Sequence, residues 1–138
     1  MCKIDGTMDS ELYKTILEEE LMESIEYFEF DQEDVIFQQD NDPKHTSKLV
    51  KTWLRSQDFE VMSWPAQSPD LNPIENLWAI VKRELLKYED QPTGMIELWD
   101  RIQKAWNQVD EETCLKLVES MPERMEAVIK AKGKWTKY

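Results

Sequence analysis

Two carboxylates, Asp40 and Glu75, stand in sequence settings that suit metal-ion chemistry. Asp40 closes the apolar segment VIFQQ at 35–39, which reads as a buried strand with an acid at its carboxyl end. Glu75 follows the turn-forming segment SPDLNP at 68–73 and opens a helical pattern. Carboxylate oxygens suit Mg²⁺ or Mn²⁺ rather than zinc. Two such ions can activate a nucleophile and stabilise the leaving oxygen of a phosphodiester, which requires several convergent carboxylates.

The nearby polar residues also have structural interpretations. A good helix start is formed by Asn72, Pro73 and Glu75. This residue pattern alone favours a capping role for Glu75 over a metal-binding role by roughly two to one. Asp42 and Asp70 each lie next to a proline, a position more typical of turns than of ligands. From spacing alone, both interpretations of these acids stay open.

The segment after Asp40 carries a local basic patch. Lys44, His45 and Lys48 lie within it and are candidates for DNA contacts, because binding to phosphates requires local positive charge. His45 is the chain's only histidine, so a Ser-His-Asp triad would have to use it. Nothing else in the sequence supports a triad, and a polar residue beside a helix start is the simpler interpretation.

Composition restricts the class of protein. With 138 residues, 41% hydrophobic residues and six Trp, the chain is expected to form one packed domain. The formal charge of −12 argues against a free-standing nucleic-acid binder. Two cysteines make neither a disulfide framework nor a zinc pattern, which favours a reducing compartment. No signal-like or membrane-spanning run is present, so we expect an intracellular protein that is not secreted and has no membrane partner.

Periodicity predicts a strand–helix–strand–helix order in the middle of the chain, which is typical of an α/β fold with a parallel sheet. Thr46 or Ser47 is expected to cap the helix of this crossover. The predicted elements are a helix from Asp9 or Ser10 to about Tyr27, strands at 35–39 and 59–64 flanking a short helix, a helix from Pro73, a helix from near Thr93 with Met95 and Ile96 facing inward, and two short helices around 115–118 and 123–129.

Two longer blocks resemble a known family. The segment FQQDNDPKHTS at 37–47 resembles the block around the second catalytic acid of the mariner-superfamily DDE transposases of the Tc type. The segment WPAQSPDLNPIENLW at 64–78 resembles the block that contains the third acid. The 34 residues between Asp40 and Glu75 agree with that pattern. Weaker similarity at 4–9 and 120–138 extends the resemblance over nearly the whole chain.

The resemblance implies an RNase H-like α/β fold, N-terminally truncated and with additional C-terminal helices, in a partial catalytic domain covering 1–138. It implies that Asp40 and Glu75 are the second and third catalytic, metal-binding acids and that Mg²⁺ or Mn²⁺ is the cofactor. The family cuts DNA at transposon ends and joins it to a target. The implied partner is therefore DNA, and the implied location is the nucleus. A second copy of the chain or a full-length transposase is a candidate protein partner.

The sequence departs from the family at its N-terminus. Residues 1–138 include neither the family's helix-turn-helix region nor the strand that bears the first catalytic Asp. Asp5 and Asp9 match the segment after that strand and do not replace it. We therefore expect the 138-residue chain to be inactive by itself, with the edge of the strand that ends at Asp40 unpaired. The alternative hypothesis is a non-catalytic interaction or regulatory fragment that pairs with full-length transposase.

Overall fold

The computed structural model describes residues 1–65 and 68–138, and these form two compact units, Met1–Gln67 and Ser68–Tyr138. Positions 66 and 67, within the second family-like block, lie outside the described residues. The elements are α1 Ser10–Ile16, a π-helical stretch Leu17–Leu21, α2 Met22–Tyr27, a 3₁₀ turn Gln32–Asp34, β1 Ile36–Phe37, α3 Lys48–Leu54, β2 Glu60–Val61, a 3₁₀ turn Pro69–Leu71, α4 Ile74–Leu85, α5 Met95–Asn107, α6 Glu111–Glu119 and α7 Met121–Lys130. No described helix is long and apolar enough to cross a membrane.

The first helical region begins as the sequence predicts. The Asp9 carboxylate accepts hydrogen bonds from the backbone N–H groups of Glu11 and Leu12, at 3.0 and 2.9 Å, and so caps α1. The predicted single helix is divided, however, because the stretch Leu17–Leu21 between α1 and α2 is π-helical. Helical structure nevertheless runs from Ser10 to Tyr27, which is close to the predicted span.

β1 and β2 pair in parallel, with Ile36 opposite Glu60 and Phe37 opposite Val61. α3 connects them, and the Ser47 hydroxyl caps it by accepting the Val50 N–H at 3.2 Å. The predicted crossover and its cap are confirmed. The strands are shorter than predicted, because only two residues of each make the ladder. Asp40 therefore lies three residues beyond β1 rather than directly at its end.

The core of the first unit is built from both sides of this crossover. Its buried members are Leu17, Ile25, Val50, Leu54 and Phe59, and partly buried hydrophobic residues such as Phe37 and Trp53 pack against them. The Phe37 and Phe59 rings lie with centroids 5.8 Å apart, which joins the strand segments on one face. This packing fixes the path of the chain as it leaves β1 toward Asp40.

The second unit is helical among its described residues. α4 and α5 pack together, with the Trp78 and Trp106 rings 5.5 Å apart, and Val81 and Ala105 are buried. The predicted inward positions Met95 and Ile96 are wrong, because their exposed fractions are 71% and 78%. They occupy the first turn of α5, whereas the buried Ala105 lies near its C-terminal end.

A pair of identical substitutions in α3 tests this core. Leu54 is 5% exposed and Leu49 is 40% exposed. We expect Leu54→Ala to lower the free energy of unfolding by about 3 kcal/mol, because it removes buried methyl groups and leaves a cavity. Leu49→Ala should cost less than half of that. Urea unfolding followed by circular dichroism measures both, and equal losses would contradict the described orientation of α3.

Candidate active site

One oxygen of the Asp40 carboxylate is engaged by hydrogen-bond donors, and the other is free to bind a ligand. Its Oδ1 accepts the backbone N–H of Asp42 at 3.0 Å and lies 2.6 Å from His45 Nδ1. Within 1–65 and 68–138, no hydrogen bond or ion pair is made by Oδ2, and the side chain is 65% exposed. The turn fixes the direction of this carboxylate while leaving one oxygen for a ligand.

His45 is enclosed by a small polar and aromatic cluster. Its ring stacks on the Tyr13 ring with centroids 3.9 Å apart, and its backbone carbonyl accepts the Gln39 Nε2–H group at 3.2 Å. The Tyr13 hydroxyl donates to Gln39 Oε1 at 2.8 Å, which closes the cluster. Burial, with the negative charges of Asp40 and Asp42, raises the pKa of Tyr13 to about 12. Tyr13 therefore stays a neutral donor across the physiological range.

The charged neighbours of Asp40 have different environments. Asp42 accepts the backbone N–H and the ammonium of Lys44 at 2.9 and 2.8 Å, and these bonds lower the pKa of its carboxyl. Asp42 is thus engaged locally, as expected for a turn residue. Lys44, one of the candidate DNA contacts, neutralises Asp42, whereas Lys48 is exposed.

An open cavity of about 470 Å³ lies beside Asp40. Its lining combines the carboxylate with the cationic side chains of Lys51 and Arg55 and with apolar surface from Phe59 and Met62. A carboxylate can hold a divalent cation, and neighbouring cations can meet phosphate oxygens. The space beside Asp40 therefore combines one carboxylate that can bind a metal ion with cationic side chains that can meet phosphate oxygens.

Glu75 lies in the second unit, in the first turn of α4. Asn72 Oδ1 accepts the Ile74 N–H at 3.3 Å, so Asn72 does act at the helix start. Glu75 itself does not have the capping role that its position favours, because no hydrogen bond or ion pair reaches its carboxylate among the described residues. Glu75 is exposed, and both of its carboxylate oxygens are available to a ligand.

A buried arginine holds the chain on both sides of Glu75. Arg124 on α7 is 2% exposed and donates to the Asp70 carbonyl at 2.9 Å and to Asn76 Oδ1 at 2.7 Å. Its Nε–H group donates to the Ser120 hydroxyl at 2.8 Å. One planar guanidinium therefore joins α7 to the turn before α4 and to the first turn of α4 itself.

The C-terminal residues complete this arrangement. The Thr136 hydroxyl donates to the buried Asp70 carboxylate at 3.0 Å, and the Tyr138 ring lies 4.8 Å from the Arg124 guanidinium carbon. Asp70 is thus a structural residue, in agreement with its turn interpretation. Arg124 is not among the residues predicted from the sequence. The available signal was its spacing with Met121 and Val128, which puts an arginine on the apolar stripe of α7.

The donor set fits a hard divalent cation by its chemistry. Glu75 and the Oδ2 atom of Asp40 offer exposed carboxylate oxygens with no hydrogen bond or ion pair among the described residues, whereas Asp40 Oδ1 contacts His45. Both acids have the oxygen chemistry that Mg²⁺ and Mn²⁺ prefer. Across 1–65 and 68–138, however, no group of three or more His, Cys, Asp or Glu is arranged to hold a metal ion. The described residues thus provide individual ligands rather than a complete set.

Comparisons with known proteins agree with the two sequence blocks. Residues 1–93 match a family of DDE superfamily endonucleases. The chain is 40% identical over 139 residues to the transposable element Tcb2 transposase of Caenorhabditis briggsae, which covers 99% of the chain and 48% of that protein. It is 43% identical over 103 residues to the Tc1 transposase of Caenorhabditis elegans, covering 75% of the chain and 37% of that protein. The chain thus spans about half the length, or less, of these relatives.

Solved structures of the mariner Mos1 transposase of Drosophila mauritiana are also similar. Its catalytic domain with Raltegravir and Mg has a TM-score of 0.81 at 26% identity, covering 98% of the chain and 68% of that domain. The corresponding structure with Mn has a TM-score of 0.82 at 24% identity with the same coverage. The Mos1 paired-end complex with the left transposon end has a TM-score of 0.80 at 26% identity, covering 94% of the chain and 38% of that protein.

The chain therefore belongs to the DDE superfamily endonucleases, on the Tc-type branch of the mariner superfamily. The implied RNase H-like fold is confirmed by the match to the Mos1 catalytic domain. The roles of Asp40, Glu75, Lys44, His45 and Lys48 stay predictions.

The Arg124 network gives a stability prediction. We expect Arg124→Met to lower the free energy of unfolding by about 3 kcal/mol, because the buried Asp70 carbonyl and the Asn76 amide lose their donor. The matched control is Arg83→Met, because Arg83 is exposed on α4. It should change stability by less than about 0.5 kcal/mol. Urea unfolding measures both variants, and similar values for the two would refute the role given to Arg124.

Proposed function

We propose that the chain is a catalytic part of a Tc-type transposase, which cleaves DNA at transposon ends and joins it to a target with Mg²⁺ or Mn²⁺. Asp40 and Glu75 are its second and third metal-binding acids. The observation that carries the proposal is the Asp40 carboxylate, fixed at Oδ1 and open at Oδ2 beside the cationic Lys51 and Arg55. The nucleus is the proposed site of action, because the substrate is chromosomal DNA.

The two acids contribute oxygen ligands from rigid positions. Asp40 is set by the crossover core and its turn, and Glu75 is set by the start of α4. A divalent cation held by carboxylates of this kind would supply activation of the attacking oxygen and stabilisation of the leaving oxygen. Lys51 and Arg55 would neutralise phosphate charge near the cleaved bond, and Lys48 would contact the DNA backbone farther along α3. Solved relatives containing Mg, Mn and a transposon end support this assignment.

The 138-residue polypeptide is proposed to be inactive by itself. Two carboxylates leave divalent cations under-neutralised and loosely held, and this chemistry requires further convergent oxygen ligands. The described residues offer no group of three that could hold a metal. In the family, the remaining acid lies on a strand upstream of the segment that matches this chain.

Restoration of that acid provides the test. The upstream part of the Tcb2 transposase would be joined before Met1, and Mn²⁺-dependent cleavage of DNA carrying the matching transposon end would be measured. We expect cleavage by the chimera and none by the 138-residue polypeptide. Asp40→Asn and Glu75→Gln should each abolish cleavage by the chimera, because each removes a charged ligand.

Two matched variants control for charge and folding. Asp34→Asn removes an exposed acid before β1, and Glu84→Gln removes a glutamate farther along α4, so both should leave cleavage intact. Metal-dependent cleavage by the 138-residue polypeptide, lost in both Asp40→Asn and Glu75→Gln, would refute the proposed inactivity. Full cleavage by either of those chimera variants would refute the assignment of the acid concerned.

A second candidate function follows from the edge of β1. In the described chain β1 pairs only with β2, and Ile36 is 57% exposed. An open apolar edge can accept a strand from another chain, so the chain is a candidate non-catalytic partner of a full-length transposase.

A binding measurement tests this second candidate. Immobilised 138-residue chain should retain a full-length Tc-type transposase, and Ile36→Lys should weaken retention, because a charge at the edge opposes pairing. Leu115→Lys is the control, because Leu115 is comparably exposed in the second unit at 53%. Equal retention by both variants, or none by the unsubstituted chain, would exclude pairing at this edge.

A further inference from the structure

We infer that His45 is a positioning residue for Asp40: its Nδ1–H group holds Asp40 Oδ1 and so directs Oδ2 toward a divalent cation. The inference rests on the proposed function, because it concerns a metal ligand named there. It gives His45 a different role from the DNA contact suggested by its basic neighbours.

The two ring nitrogens of His45 have unequal surroundings. Nδ1 lies 2.6 Å from Asp40 Oδ1, and Oδ1 also accepts the Asp42 N–H at 3.0 Å. Nε2 is buried and has no hydrogen-bond partner among the described residues. An ionised carboxylate oxygen can only accept a hydrogen bond, so the contact with Oδ1 requires a proton on Nδ1. The arrangement therefore favours the tautomer that carries its proton on Nδ1 and donates it to Asp40.

The position of the imidazole is itself determined by its surroundings. The Tyr13 ring covers one face, and the Tyr13 hydroxyl orients Gln39, which in turn donates to the His45 carbonyl. These contacts hold the backbone and the plane of the ring, and the 2.6 Å contact with Asp40 Oδ1 places Nδ1 rather than Cδ2 on the side of the carboxylate. α1 therefore sets the position of a ligand on a loop that follows β1.

This geometry explains how a largely exposed carboxylate can have a defined direction. An exposed Asp normally samples several rotamers, and a cation must then select one of them at a cost in entropy. Two donors on Oδ1 select the rotamer in advance and leave Oδ2 without a partner among residues 1–65 and 68–138. His45 has no ring nitrogen left for phosphate, because Nε2 is enclosed.

The first experiment measures the imidazole ¹⁵N chemical shifts of the unsubstituted 138-residue chain at neutral pH. His45 is the only histidine, so the two signals need no assignment by mutation. We expect the chemical shift of Nδ1 to report a bound proton. In Asp40→Asn that shift should change, because the carboxylate that accepts the proton is absent. A bare Nδ1 would overturn the inference whatever the result of any metal titration.

The second experiment measures Mn²⁺ affinity by calorimetry. In His45→Asn the amide N–H can take the place of Nδ1, whereas in His45→Gln it reaches the place of Nε2. Both variants lose the stacking on Tyr13, so their difference isolates the bond to Asp40. We expect His45→Gln to bind Mn²⁺ roughly 10- to 100-fold more weakly than the unsubstituted chain, and His45→Asn to recover most of the affinity.

Two further variants separate the inference from the proposed function. Asp34→Asn gives the background of Mn²⁺ uptake by exposed acids, and Asp40→Asn removes the proposed ligand. If Asp40→Asn binds like Asp34→Asn, or if the unsubstituted chain takes up no Mn²⁺, the metal role of Asp40 fails and the inference fails with it. If Asp40→Asn loses affinity while His45→Gln and His45→Asn behave alike, the proposed function stands and the role of His45 is overturned.

Discussion

The parallel pairing of β1 with β2 is the constraint on which the first unit depends. Its ladder is short, and the backbone N–H groups of Glu60 and Met62 donate to Val35 and Phe37 at 3.0 and 2.8 Å. Two parallel strands require a crossover, and α3 supplies it while burying Val50 in the core of the first unit. The chain leaves β1 in a fixed direction, and Asp40 follows three residues after the end of the strand. Placement of a ligand therefore begins with backbone hydrogen bonds.

The two proposed ligands are positioned by different physical means. Asp40 lies on a turn and is largely exposed, so its direction comes from side-chain and backbone donors on one oxygen. Glu75 lies on a helix, so the backbone of α4 sets its direction, and Arg124 holds that backbone from the inside of the second unit. Loss of Arg124 would act on the helix start as a whole, whereas loss of a donor on Asp40 would act on a single rotamer.

Local chemistry in the sequence accounts for the features predicted correctly. Asp9 and Ser47 cap helices because their short side chains reach free N–H groups, and this requires no knowledge of the rest of the fold. The crossover follows from the alternation of apolar periods. Features that depend on distant contacts were not predictable. The length of β1 depends on which partners it meets, and the exposure of Met95 depends on how α5 packs within the second unit.

In the candidate site, too, the local features could be predicted from the sequence and the long-range contacts could not. Spacing and neighbouring motifs indicate Asp40 and Glu75, because the family motifs are continuous segments of the sequence. The contacts that orient the two acids join residues that are far apart in the sequence. Tyr13 reaches His45 from a helix more than thirty residues earlier, and Arg124 reaches Asp70 across 54 positions. Such pairs become visible only when the fold brings them together.

The π-helical stretch has a consequence for the length of the first helical region. In a regular α-helix, residues eight apart such as Leu17 and Ile25 are rotated by about 80°, yet both are buried in one core. The π-helical turn accommodates one additional residue, which offsets the rotation of the residues that follow by about 100° about the helix axis. Leu17 and Ile25 are then only about 20° apart. A homologue one residue shorter within Leu17–Leu21 could form an uninterrupted α-helix and still bury the same face. Variation in chain length at this point is therefore absorbed as a change of helical pitch and does not reach the core.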